Sequence, residues 1–145
     1  VSAADIDAYR LVAGDILLTE GGDPDKLGRG AVWNGMIDPC IHQNHVFRVR
    51  CDQSVLEPEY LSALVGSRYG KAYFFAAAKQ TTGIASINKS QLRAFPVLVP
   101  PRHTQARFMS ARRSFERLQT NLGNASSNAD ALFQTLAHRA FRGEL

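Results

Sequence analysis

GDILLTEGGDPDKLGRGAVW, residues 14–33, carries a short apolar run, Ile16-Leu17-Leu18, into a loop with four glycines, a proline and charges of both signs. The chain turns apolar again at Ala31-Val32-Trp33. Glycine-rich loops after strands often hold phosphates, and such a loop here would mean a nucleotide-binding α/β fold. The residues argue otherwise. A phosphate loop needs G-x-x-x-x-G-K-S/T, and no lysine–hydroxyl pair stands here. In a dinucleotide loop a third glycine would follow, but Gly28-Arg29-Gly30 runs into Ala31-Val32-Trp33. What remains is an open loop carrying Lys26 and Arg29 beside Asp23 and Asp25. It is either a hairpin-like connection or a loop that reads a ligand other than a nucleotide.

The neighbouring sequence continues in short pieces. Residues 15–19, 31–33 and 46–50 are strand candidates, with β-branched or aromatic residues between turn signals. In HVFRVR, residues 45–50, alternation puts Phe47 and Val49 on one face and Arg48 and Arg50 on the open one. Pro58 suits the first turn of a helix over EPEYLSALVGS that Gly66 would end. RYGKAYFFAAAK predicts a second helix, with Tyr69, Tyr73, Phe74 and Ala77 at helical spacing. Asn88 and Gln91 have the spacing of a capping box. FPVLVPP, residues 95–101, is an extended exit that no helix can cross.

Beyond Pro101 the texture changes. Ala111, Phe115, Leu118 and Leu122 step as a helix seam, and Ala125, Ala129, Leu132, Leu136 and Ala140 continue it past Gly123. LGNASSN is poor helix material, which leaves two readings open: a continuous helix, or one that frays or breaks near residues 121–127. Such a helix is polar over most of its surface, and its apolar stripe needs a partner helix. The predicted fold is therefore α+β: a small mixed α/β domain over residues 1–101, then a long coiled-coil-type helix over 102–145. Phe115, Leu118, Leu122, Leu132, Leu136 and Ala140 are its pairing residues, and a second copy of the chain is the simplest partner.

At 145 residues and 45% hydrophobic, the chain can bury one modest core. No apolar run approaches the ~20 residues of a membrane span, and the opening residues lack a signal-peptide pattern. The first residue is Val1, so a missing piece upstream is expected. Cys40 and Cys51 make no disulfide framework and read as reduced thiols of a cytoplasmic protein. Charge is more informative. The net is +4, but ten of the 13 acids fall in residues 1–59, against five bases. Residues 60–115 hold no acid and nine cations: Arg68, Lys71, Lys79, Lys89, Arg93, Arg102, Arg107, Arg112 and Arg113. A one-sign stretch of this length either faces a polyanion, with duplex DNA first among candidates, or pairs internally with the acidic first third.

Catalytic chemistry finds little support. Cys40, His42, His45 and Cys51 fit no paired zinc-ligand spacing, and packing beside the 46–50 strand is the simpler role. A metal-dependent nuclease needs clustered carboxylates, and residues 60–115 offer none. There is no G-x-S-x-G elbow. No catalytic residue, metal or cofactor is expected. Lys79-Gln80-Thr81-Thr82-Gly83 reads as a loop whose cation, amide and hydroxyls suit phosphates and base edges, or as a plain solvated turn. The candidate DNA-binding residues are thus Lys26, Arg29, Arg48, Lys71, Lys79, Gln80, Thr81, Thr82 and Lys89.

Taken in order, GDILLTEGG, LGRGAVW, NHVFRVR, LEPEYLSALVGSRYGK, KQTTGIASINKSQLRAFPVLVPP and ALFQTLAHRAFRGEL resemble the specificity subunit of type I restriction-modification enzymes. The last piece matches that family's A-F-x-G-x-L ending. After the double proline the family usually carries a Glu-Gln pair, of which Gln105 keeps the glutamine. The resemblance implies a DNA target recognition domain followed by a conserved spacer helix. It implies a non-catalytic subunit that reads one half of a bipartite site. Methyltransferase (modification) subunits dock on it with their S-adenosylmethionine chemistry, and through them the restriction subunit. A full subunit has two recognition domains and two such helices paired antiparallel, whereas this chain has one of each. Two other readings stand beside this one: a recognition-domain fragment of a fused methyltransferase or restriction enzyme, and a helix-mediated protein-interaction adaptor.

Overall fold

The computed structural model describes residues 3–23, 26–81 and 83–145. Two compact units divide the chain, Val1–Gln105 and Ala106–Leu145. The described elements are mixed α+β, with small antiparallel sheets, helices and a long C-terminal helix.

In the first unit, α1 (Ala3–Tyr9) precedes β1 (Ile16–Thr19), β2 (Gly21–Gly22), β3 (Gly30–Val32) and β4 (Val46–Val49). Strand β1 is the centre of a sheet ordered β3-β1-β4, antiparallel throughout. Its alternation decides what is inside: Ile16 and Leu18 are buried, while Leu17 and Thr19 are not. Next come α2 (Pro58–Gly66) and α3 (Arg68–Ala77). Pro58 stands in the first turn of α2, where its missing N–H costs nothing. Ser67 closes α2 and caps α3 by accepting from the Gly70 amide. Leu61, Val65 and Phe74 send the inner faces of both helices into the core.

The second sheet departs from the sequence reading. Lys79–Thr81, expected as part of a loop, is strand β5, hairpinned to β6 (Ile84–Ser86). A polar tripeptide carries no strand signature of its own, and pairing with β6 supplies the preference. On its other side β6 pairs with β2, so the order is β2-β6-β5. Asn88 then caps α4 (Lys89–Arg93) through a reciprocal capping box with Gln91. Phe95 stacks on Phe74 with ring centroids 5.1 Å apart, and Tyr73 meets both rings edge-on. Gln105 is wholly buried. Its side chain accepts from the Glu57 amide at 2.9 Å and donates to the Val55 and Pro100 carbonyls at 2.9 and 2.8 Å.

Helix α5 (Arg102–Phe141) begins within the first unit and makes up nearly all of the second. Of the two readings open at residues 121–127 the continuous one holds: its 40 residues are one helix, about 60 Å long. Asn, Ser and a lone Gly weaken a helix by up to about 1 kcal/mol each, whereas proline stops one, and none follows Pro101. The helix closes on a Schellman motif. Gly143, at φ +70°, donates to the Ala140 carbonyl and Glu144 to that of Arg139. That geometry is the physical reason for the glycine in AFRGEL. Phe115, Leu118, Leu122, Leu132 and Leu136 are all exposed along α5. No helix among the described residues is long and apolar enough to cross a membrane.

Candidate nucleic-acid interface

The glycine loop is built for packing. Leu27 is buried in the core, and a Cβ on Gly28 would lie 2.8 Å from the Phe74 ring. One on Gly30 would lie 2.2 Å from the Leu17 carbonyl oxygen. These glycines let backbone approach ring and strand, and the loop's cations stay at the surface. Lys26 pairs with Asp23, whose carboxyl is held below its usual range by that contact. Arg29 is exposed immediately before β3. Asp25 lies outside the described residues.

Topology brings this loop to the second candidate segment. Gly22 pairs with Ala85 and Thr81 with Ile84, so the loop after β2 and the turn after β5 leave the sheet at one end. Strands β2 and β5 flank β6, which sets them about 10 Å apart. Lys26, Arg29, Lys79 and Gln80 are thus carried by adjoining segments. Cross-strand register puts Gln80 on the face of buried Ala85, where its amide donates to the Phe75 carbonyl at 3.2 Å. Lys79 shares the opposite face with Ser86. Thr82 lies outside the described residues. Lys71 is exposed on α3.

Arg48 on β4 and Arg50 just after it have structural partners. Arg50 grips Asp15 with two bonds, Nε to Oδ1 at 2.6 Å and Nη2 to Oδ2 at 2.7 Å. Asp15 also accepts from the Val12 amide at 2.8 Å and is 0% exposed. Burial alone would push its carboxyl up. The Arg50 fork, the Val12 amide and the charges of Arg50 and Arg48 outweigh it, so the net direction is down. Arg48 donates to the Arg10 carbonyl at 2.8 Å. The same two arginines, with Lys89 and Arg93, line a cavity of about 380 Å³ whose floor includes Ile16, Leu18, Leu61, Val65 and Phe95. Arg48 and Lys89 therefore meet at one cleft that the glycine loop and the hairpin do not line.

Elsewhere, the choice between internal pairing and an outside polyanion can be made cation by cation. Arg102 pairs with Glu57 at 2.7 Å, and Arg112 with Glu116 at 2.8 Å. Among the described residues, Arg68, Lys71, Lys79, Lys89, Arg93, Arg107 and Arg113 form no ion pair. Most of the acid-free stretch is thus not consumed by the acidic first third.

The sulfur and imidazole groups sit in local contacts. His42 packs edge-on against Tyr9, and His45 meets Glu20 at 2.9 Å. Cys51 donates to the Leu56 carbonyl at 3.3 Å, and burial pushes its thiol up. Among the described residues no three His, Cys, Asp or Glu side chains could share a metal ion. Sequence reasoning passed over Asp15 and had no role for Gln105. A buried acid four residues before Thr19 signals nothing until its arginine is seen.

No family model matches the chain. Three curated proteins are similar to it, all named as type I restriction enzyme specificity subunits. One from Methanocaldococcus jannaschii, provisionally named as the MjaX subunit, is 28% identical over 118 residues, 81% of this chain and 28% of its own. The StySPI subunit of Salmonella potsdam is 25% identical over 94% of this chain and 31% of its own. The EcoKI subunit of Escherichia coli K12 is 25% identical over 99% and 32%. The chain thus spans under a third of the length of the curated relatives it matches.

Proposed function

We propose that this chain is a DNA target-recognition module with an appended pairing helix, acting as part of a type I restriction-modification specificity subunit. It reads one half of a bipartite DNA site. Modification subunits, and through them a restriction subunit, dock on the assembly and supply the chemistry; the chain itself is non-catalytic. The recognition domain occupies residues 1–101 and the spacer helix 102–145. The observation that carries the reading is the set of basic side chains, Lys71 and Lys79 among them, that lack a carboxylate partner among the described residues. Its geometry is favourable too. The β5–β6 turn and the glycine loop after β2 leave one end of the β2-β6-β5 sheet together, so their polar side chains can approach one stretch of duplex. Lys71 and Lys79 hold phosphates, while Lys26, Arg29, Gln80, Thr81 and Thr82 read base edges. The exposed apolar residues of α5 pair with a second helix, in the simplest case that of another copy.

Binding to duplex DNA across a salt series tests this. Each neutralised phosphate releases counterions, so five or six contacts give a slope of roughly −5 in log K against log salt. A flat titration would remove the basic stretch as the footprint.

A further inference from the structure

Phe47, Arg48, Val49 and Arg50 all line the cavity beside β4. The cavity also reaches Ile16 and Leu18 of β1. The edge of β4 is open. In the order β3-β1-β4, β4 is outermost and has β1 on one side only. Every second residue of such a strand turns its N–H and C=O away from its partner. Among the described residues no other segment's backbone bonds to residues 46–49. An unpaired edge of this kind is a template for a further strand.

The far wall of the cleft tells which strand would fit. Lys89 and Arg93 stand four apart on α4, on one face of the helix, and neither has a carboxylate partner among the described residues. Arg48 adds a third cation beside Arg50, which is held by Asp15, and no carboxylate lines the cavity, while its floor is apolar. A DNA backbone would satisfy the cations and leave that floor in water. We infer that the β4 edge binds an extended polypeptide segment alternating apolar and acidic side chains. Its backbone continues the sheet, its apolar residues enter the cleft and its carboxylates meet Lys89 and Arg93. This goes beyond the DNA-binding reading and does not depend on it.

The test is fluorescence anisotropy of a labelled octapeptide alternating valine and glutamate, titrated with the full chain. Saturable binding is expected. N-methylation of the peptide amides that would face β4 should abolish it, a comparison made on the unaltered protein. The double variant Lys89→Glu/Arg93→Glu should bind at least about tenfold more weakly and prefer a valine–lysine peptide instead. Equal binding of the N-methylated peptide, or no binding of the parent, overturns the proposal. So does displacement of the peptide by a short DNA duplex, which would make the cleft a DNA contact. A self-association that the double variant dissolves would assign the edge to a second copy and overturn it as well.

Discussion

Strand β4 and the β5–β6 hairpin are both short, both carry basic residues and both belong to the first unit, but their cations are used differently. Arg48 and Arg50 lie in the acid-rich first third, and each is drawn onto that segment, Arg50 onto Asp15 and Arg48 onto the Arg10 carbonyl. Lys79 stands in the acid-free stretch and meets no carboxylate among the described residues. A count of basic residues treats the three alike. What marks a polyanion footprint is a cation that the fold has not already paired with a carboxylate, which sets Lys79 apart from Arg50. Arg48 gives one donor to a neutral carbonyl and keeps its charge.

The strongest way to break the contrast is Arg50→Ala. It strands a buried carboxylate, which in a fully buried pair costs about 3–5 kcal/mol. Arg50 is half exposed, so about 2–3 kcal/mol is expected, read as a lowered denaturation midpoint. The pH dependence gives a second reading. Asp15 has a folded pKa below its unfolded value of ~3.9, so its contribution is present above about pH 4 and lost as pH falls through the folded pKa. In Arg50→Ala burial is opposed only by the Val12 amide and the Arg48 charge, so the carboxyl should titrate higher and the acid limb of the stability profile should move to higher pH. An unchanged acid limb would mean the fork does not set the Asp15 charge. Sequence preference on DNA should not change.

The same distinction between used and unused side chains applies to the leucines. Leu61 is buried in the core with Ile16 and Leu18, whereas Leu132 and Leu136 are exposed on α5. Burying one leucine is worth ~1.5–3 kcal/mol, so Leu136→Asp should dissolve any assembly the helix makes, seen by sedimentation over a concentration series. The first unit should keep its fold, since Leu136 is outside its core. Wild type that stays monomeric at high concentration would remove the second copy as partner.

Smaller and more local is the effect at Arg29. If it reaches a base edge, Arg29→Ala should cost ~1–3 kcal/mol at one position of the site and relax the preference there, as read by selection from a random duplex library. An unchanged preferred sequence would confine the glycine loop to the packing that Leu27 and Gly28 provide.

Particular residues explain how far the sequence could be read. β1, β3 and β4 were legible because short apolar, β-branched or aromatic runs stand between turn signals, and α2 because proline and glycine bracket it. β2 is two glycines and β5 a polar tripeptide, and neither has a side-chain pattern to read. They are strands because β6 lies between them. The continuity of α5 stayed open in the sequence because weak helix formers lower helix stability without fixing a stop. Gln105 was invisible for a different reason: two of its partners, Val55 and Glu57, lie about fifty residues upstream. For the candidate interface the cations themselves were plain, and alternation put Arg48 and Arg50 on one face of the stretch 45–50. The acid that claims Arg50 depended on tertiary pairing that no local pattern encodes.

Lys79→Ala should have the smallest effect. Lys79 lies on the face of β5 shared with Ser86 and is exposed, so its removal should leave the denaturation midpoint within about 0.5 kcal/mol of wild type. A phosphate contact carries no sequence information, so every duplex should be bound more weakly by a similar factor. The slope of log K against log salt should become shallower by about 1. That pattern separates Lys79 from both neighbours in the comparison. Arg50→Ala loses stability without a change of slope, and Arg29→Ala changes preference at one base. A Lys79→Ala protein that binds DNA at the wild-type slope would return the hairpin to an ordinary solvated turn. The footprint would then have to lie with Lys71 and the other unpaired cations.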